Sequence, residues 1–252
     1  MNMKEWIAHV INNPKRMAIP IMTHPGIEMI GKTVLDAVTD GRVHAEAIIA
    51  LNKRYPSAAS TAIMDLTVEA EAFGCAISFS RDEAPSVSHR IVSNFEEVDK
   101  LSVPPLSAGR IHQYLLANQL TAAAITDKPV LGGCIGPYSL SGRLFDMTEI
   151  MMAIYTEPDT VHLLLEKCTL FLTNYCRALK STGIQGVMMA EPAAGLLSDE
   201  DCRIFSSCYV KQIVDELQDD SFSFILHNCG NKGHCTQACY LLALMDTISV
   251  TR

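Results

Sequence analysis

Short apolar runs alternate along the chain with longer segments of helical period. Ala18-Ile19-Pro20-Ile21-Met22 predicts a first strand, followed by a Gly-containing turn and a helix over Val34 to Asn52. In that helix Val38, Val43, Ala47, Ile48 and Leu51 share one stripe. Ser60 to Leu66 predicts a second strand and Pro129 to Ile135 a third. Glu149 to Thr156 and Asp159 to Lys180 read as helices, parted at Pro158, with Gly183 just past the second. Gln185 to Ala190 predicts a fourth strand, and Ser198 to Leu217 a helix that opens on Ser198-Asp199-Glu200-Asp201. There the serine can cap free amides and the acids suit the positive end of the helix dipole. Ser223 to His227 predicts a fifth strand and Thr247 to Val250 a sixth. Asp82 to Gly109, with two adjacent prolines, reads as an insertion or long loop over one face.

Strands joined by helix-length crossovers imply an α/β fold with a parallel sheet and right-handed connections. A doubly wound sheet and a barrel both satisfy that alternation. The polar positions favour the barrel. Thr23-His24, Asp65, Gly136, Glu191 and His227-Asn228-Cys229 each fall at the C-terminal end of a predicted strand, and barrel enzymes gather their chemistry at that rim. No GxGxxG fingerprint of a dinucleotide fold is present. The expectation is a single domain over residues 1–252.

Composition narrows the functional classes. A net charge of −8, with no basic run longer than two residues, argues against a nucleic-acid surface. No stretch approaches the roughly 20 apolar residues needed to cross a bilayer, and the amphipathic start lacks a signal-peptide core. A cytoplasmic protein is expected. Nine cysteines, an odd number, suit free thiols or metal ligands better than a disulfide framework. Cys75, Cys134, Cys168, Cys176 and Cys208 lie among apolar or small neighbours and read as small buried hydrophobes.

The sharpest chemical feature is His227-x-Cys229. In an extended strand, residues two apart point to one side, so imidazole and thiol can converge on one metal. Zinc accepts that mixture of nitrogen and thiolate donors; a buried histidine beside a structural cysteine fits the same spacing. His234, Cys235 and Cys239 follow closely, either as a zinc-knuckle-like cluster or as incidental residues of a helix. Glu191, held by Pro192, reads as a further ligand, a proton acceptor, an electrostatic partner or a plain loop carboxylate. Asp65 and Glu69 pose the same choice. Gly132-Gly133-Cys134-Ile135-Gly136-Pro137 allows close approach of backbone to a ligand or makes a tight strand-to-helix turn. His24 is a candidate for the mouth of the site.

Four stretches carry a resemblance: Met64 to Cys75, Gly133-Cys134-Ile135-Gly136-Pro137, Ala190-Glu191-Pro192 with Leu197-Ser198, and Leu226 to Asn231. They resemble the uroporphyrinogen decarboxylase superfamily, specifically its corrinoid-linked methyltransferase branch, over roughly residues 5 to 237. The resemblance implies a (β/α)₈ TIM barrel and a zinc site of His, Cys and a later Cys, with His227 and Cys229 as the first two ligands. It further implies transfer of a methyl group from a methylated corrinoid, held on a corrinoid protein, to a small thiol. Glu191 and Asp65 are then the catalytic candidates, and His24, Gly136 and Asn228 the substrate contacts. A decarboxylase-type lyase of tetrapyrrole metabolism is the alternative, disfavoured because residues 22–27 contain no arginine. The strand count stops near six of eight, no counterpart of the third ligand is evident, and the resemblance lapses from about Ala238. Those departures suggest truncation or a disrupted reading frame and keep a third reading open, a barrel remnant that binds a corrinoid or a partner without turnover.

Overall fold

The apolar runs that sequence periodicity picks out become the centre of the protein. The structure, a computed structural model, describes residues 1–21 and 24–228. Its elements are α1 (Met3–Asn12), α2 (His24–Met29), α3 (Val34–Thr39), α4 (Gly41–Arg54), β1 (Ser60–Thr61), α5 (Val68–Ala72), β2 (Ile77–Ser78) and β3 (Ser86–Val87). They continue with α6 (Phe95–Lys100), α7 (Ile111–Ala124), β4 (Val130–Ile135), α8 (Pro137–Phe145), α9 (Met147–Thr156), α10 (Pro158–Ser181) and β5 (Gly186–Ala190). After a 3₁₀ turn at Pro192–Leu196 come α11 (Asp199–Cys202), a π turn at Arg203–Ser207, α12 (Cys208–Leu217) and β6 (Ser223–His227).

Four strands form one parallel sheet in the order β1-β4-β5-β6. The register aligns Leu131 with Gly186 and Ser223, and Ile135 with Ala190 and His227. Alternation then sorts the side chains. Ala59, Leu131, Met188 and Ile225 form a small cluster on one face, which α1 covers through Met3. The other face carries Val130, Cys134, Val187, Met189 and Phe224, part of the large core with the helices. The longest helix, α10, buries Leu164, Leu165, Cys168, Leu172, Cys176 and Leu179. Cys75, Cys134, Cys168 and Cys176 are buried free thiols, as expected of small hydrophobes, and Cys208 is half-buried.

Several boundaries differ from expectation for identifiable reasons. Residues 18–21 form no strand. Ala58 N–H donates to Ala18 O at 2.9 Å and Thr61 Oγ1 to Pro20 O at 2.9 Å, but Pro20 has no N–H to continue a ladder. The strand expected over residues 60–66 stops at Thr61. The helix expected over 34–52 breaks at Asp40, whose extended backbone lets its carboxylate cap Arg42 N–H at 2.8 Å. At Gly41 a Cβ would collide with the carbonyl oxygen of Gln113, so glycine permits α4 to cross α7 closely. The stretch read as a loop, 82–109, contains β3, paired antiparallel with β2, and α6. Lys167 Nζ donates to the carbonyls of Val98, Asp99 and Leu101 at 2.8, 2.6 and 2.7 Å, which satisfies the C-terminal end of α6. The strand expected at 247–250 lies outside the described residues. Among those residues, no helix is long and apolar enough to cross a membrane.

Candidate functional site

Strands β4, β5 and β6 end level with one another, and backbone bonds extend the alignment by one residue. Gly136 N–H donates to Ala190 O at 2.7 Å, and Glu191 N–H donates to His227 O at 2.9 Å. Side-chain alternation puts His227 on the face of Ile225 and turns Glu191 toward the helices.

Glu191 is fully buried and caps α8. Its Oε1 accepts from Tyr138 N–H at 2.7 Å and from Ser206 Oγ at 3.0 Å, while Oε2 accepts from Ser139 N–H at 3.2 Å. The capping needs Gly136, because a Cβ there would collide with Glu191 Oε2. It also needs the π turn, which carries Ser206 to the carboxylate in the middle of what the sequence reads as one continuous helix. Burial pushes the Glu191 pKa up to about 7, against the pull of these donors. Glu191→Gln keeps one acceptor oxygen but brings an NH₂ toward the helix amides. We expect it to lower stability by about 1–3 kcal/mol in urea unfolding. No measurable change would mean that the cap contributes nothing.

Asp65 sits in a second buried network. Its Oδ1 accepts from Thr67 N–H at 3.0 Å and Thr67 Oγ1 at 2.6 Å, and its Oδ2 accepts from Arg110 at 2.5 Å and Tyr114 Oη at 3.0 Å. Arg110 also donates to Glu71 Oε2 at 2.6 Å and to Val38 O at 2.9 Å. The turn made by Thr67 over Asp65 is what diverts the chain after β1. Near it, His44 Nε2 accepts from Ile63 N–H at 3.1 Å, and burial draws the His44 pKa down to about 4. That histidine is therefore neutral. Glu69 lies alongside, buried, with Oε1 accepting from Ile135 N–H at 3.0 Å and Oε2 without a partner. Arg110, Tyr114 and His44 were not picked out from the sequence. They stand 45, 49 and 21 residues from Asp65 along the chain, and no local motif links them to it.

His227 is half-buried, its pKa lowered by that burial, and its Nδ1 has no hydrogen-bond partner among the described residues. Asn228 follows it immediately. Cys229 lies outside the described residues, and among those no three His, Cys, Asp or Glu side chains gather as a metal site. His24 does not end a strand: it opens α2 and is exposed. Beside the strand ends lies a cleft of about 340 Å³, lined by Ile135, Ser139 and Arg143 with Asp146, His89 and Arg90. Asp146 turns the chain from α8 into α9 at φ 87° and uses its carboxylate to cap Thr148 and Glu149 at 2.9 and 3.3 Å.

The family model described as Uroporphyrinogen decarboxylase (URO-D) matches residues 7–251. The chain belongs to the uroporphyrinogen decarboxylase family. The match continues past Ala238, where the local resemblance was expected to lapse, so the departure there is one of motif and not of family. Within the family, a methylcobamide:CoM methyltransferase (MtbA) of Methanosarcina mazei is 32% identical over 190 residues, covering 74% of this chain and 54% of its own. A uroporphyrinogen decarboxylase of Hamiltonella defensa is 29% identical over 173 residues, covering 66% and 48%. The chain thus spans about half the length of these curated relatives. A solved methyltransferase from Methanosarcina mazei superposes with a TM-score of 0.78 at 21% identity, over 92% of this chain and 71% of that one. The likeness fixes the fold as the α/β barrel type of the family, with the parallel sheet as its wall.

Proposed function

We propose that this chain is a zinc-dependent methyltransferase, moving a methyl group from a methylated corrinoid on a partner protein to a small thiol. One structural observation carries the reading. The His227 imidazole ends β6 at the rim with a buried Nδ1 that has no partner among the described residues, which suits a nitrogen donor awaiting an electrophile. His227 and Cys229 are the residues that would hold zinc. Zinc, when bound, favours the thiolate form of a thiol near neutral pH. The net reaction breaks the cobalt–carbon bond and leaves its electron pair on cobalt as Co(I). A sulfur–carbon bond forms, and the thiol proton is released.

The chain's own part is to hold the rim rigid. Glu191 fixes α8 against β5, and Asp65 fixes the turn after β1, so each acts as a positioning residue. Gly136 gives the capping carboxylate room. Asn228 and His24 remain candidates for contact with substrate. The greater similarity to methyltransferases, 32% against 29%, supports this reading over a tetrapyrrole decarboxylase.

Zinc content of the purified chain tests the proposal, beside His227→Ala and Cys229→Ala. We expect about one zinc per chain, lost in both variants. A folded chain without zinc would overturn the reading and leave a non-catalytic barrel that binds a corrinoid or partner.

A further inference from the structure

Cys134 and Cys176 face each other in the main core with their sulfurs 3.8 Å apart. Cys134 comes from β4, two residues before Gly136, and Cys176 from α10. Both are free thiols, buried at 2% and 0% exposure. The contact is selective within a core rich in sulfur. Cys168, also on α10, instead accepts a hydrogen bond from Ser141 Oγ at 3.3 Å, and Cys202 lies 3.7 Å from Ser207 Oγ. The sulfurs of a disulfide stand about 2.05 Å apart. Each sulfur of the pair would reach that distance by moving about 0.9 Å, a χ1 rotation of roughly 30°.

Charge decides which chemistry the pair can support. The hydrogen bond with Cys176 and burial hold the Cys134 thiol well above its usual pKa, and the carboxyls of Glu69 and Glu191 act in the same direction. Two thiolates around a soft metal ion such as Cu(I) would leave a net negative charge in that setting, which burial penalises. A disulfide is neutral and apolar, and suits it.

We infer that Cys134 and Cys176 are a redox-modification site, which a hydroperoxide converts to a disulfide that ties β4 to α10. The inference is independent of the methyl-transfer reading. A thiolate attacks the peroxide, the O–O bond breaks, and a sulfenic acid forms as water or an alcohol leaves. The second sulfur then displaces the hydroxyl, so the S–O bond breaks, the S–S bond forms and water leaves. Each sulfur is oxidised by one electron, the peroxide takes both, and the two thiol protons end in the released molecules. The bridge joins residues 42 apart and closes a loop that contains both α8 and α9. Closure restricts the unfolded chain, so the oxidised form is the harder to unfold. The response is slow, because the thiolate is the reactive form and this thiol is held protonated. The site therefore registers sustained oxidant and ignores a brief pulse.

The test is incubation of the full folded chain with hydrogen peroxide, then blocking of the remaining thiols and peptide mapping by mass spectrometry. The expected product is a cross-linked pair of Cys134 and Cys176 peptides, lighter by two hydrogens and reopened by a dithiol reductant. Its rate of formation should rise about tenfold per pH unit through neutral pH, as the thiolate fraction does. The oxidised chain should unfold at a higher urea concentration, and Cys176→Ala should lose both the cross-link and that gain. Cys134→Ala serves if Cys176→Ala fails to fold, and the mapping of the wild type stands without either. In the urea-unfolded chain the cysteines should pair without this preference. A pair that stays reduced in the folded chain while the unfolded chain oxidises would overturn the inference. So would a main bridge from Cys134 to another cysteine, or an oxidised chain no harder to unfold.

Discussion

Asp65→Ala is expected to destabilise the protein by about 3–5 kcal/mol, the usual cost of removing one partner from a buried ion pair. The Asp65 carboxylate is 1% exposed and the Arg110 side chain 9% exposed, so neither charge has water as a substitute. Removing the carboxylate leaves the Tyr114 hydroxyl, the Thr67 amide and one N–H of Arg110 Nη1 without an acceptor, the other still bonded to Val38 O. Each orphaned donor is costly on its own. Urea unfolding at constant pH measures the loss as a drop in midpoint with little change in slope. Adding Arg110→Met should restore part of the stability. It removes a buried cation left with Glu71 as its one remaining ion-pair partner, and Glu71, at 21% side-chain exposure, can hydrate instead. A loss under about 1 kcal/mol in Asp65→Ala would show that the network is ornamental.

Glu69→Gln is expected to do the opposite at alkaline pH: to stabilise. Burial raises the Glu69 pKa from 4.5 to about 7, with its backbone donors and nearby Arg110 pulling the other way. The folded chain therefore holds a proton on Glu69 that the unfolded chain releases near pH 4.5. Between those values the folded state binds more protons, so stability is full below about pH 4.5 and is lost as pH rises through 7. The total loss is about 3 kcal/mol. Glutamine is neutral throughout and can still accept from Ile135 N–H, so it escapes this loss. Unfolding curves between pH 5 and 8 should show the wild type weakening and the variant weakening less, the remainder coming from Glu191 in the same window. Identical pH profiles for the two would refute a raised Glu69 pKa.

The sequence exposed the fold best where strands are buried on both faces. Residues 130–135, 186–190 and 223–227 are unbroken apolar or small runs, the pattern of parallel strands under helices, and they were legible to within a residue. The run at 18–22 has the same hydrophobicity but contains Pro20, and among its described residues, 18–21, one missing N–H outweighs the pattern. In the site, polar residues that close strands were readable as a set, because a rim position is encoded by its own neighbours. Their state was not. Nothing beside Glu191 announces that it caps a helix starting 54 residues earlier. Nothing beside Asp65 announces Arg110. Those roles depend on which distant donors the fold delivers, and spacing in one chain does not encode them.

The π turn at Arg203–Ser207 also bears on how this chain can change by descent. A π turn is an α-helix that has absorbed one extra residue. Deleting any single residue between 203 and 207 would let α11 and α12 merge into one regular helix, an improvement by every local measure of helix formation. Yet the deletion would swing the residues on one side of it by roughly 100° about the axis relative to the other. Either Ser206 would lose Glu191, or the apolar stripe of α12 would turn off the core. The irregularity is thus a one-residue insertion that selection has reason to retain, because reverting it trades a better helix for a worse rim.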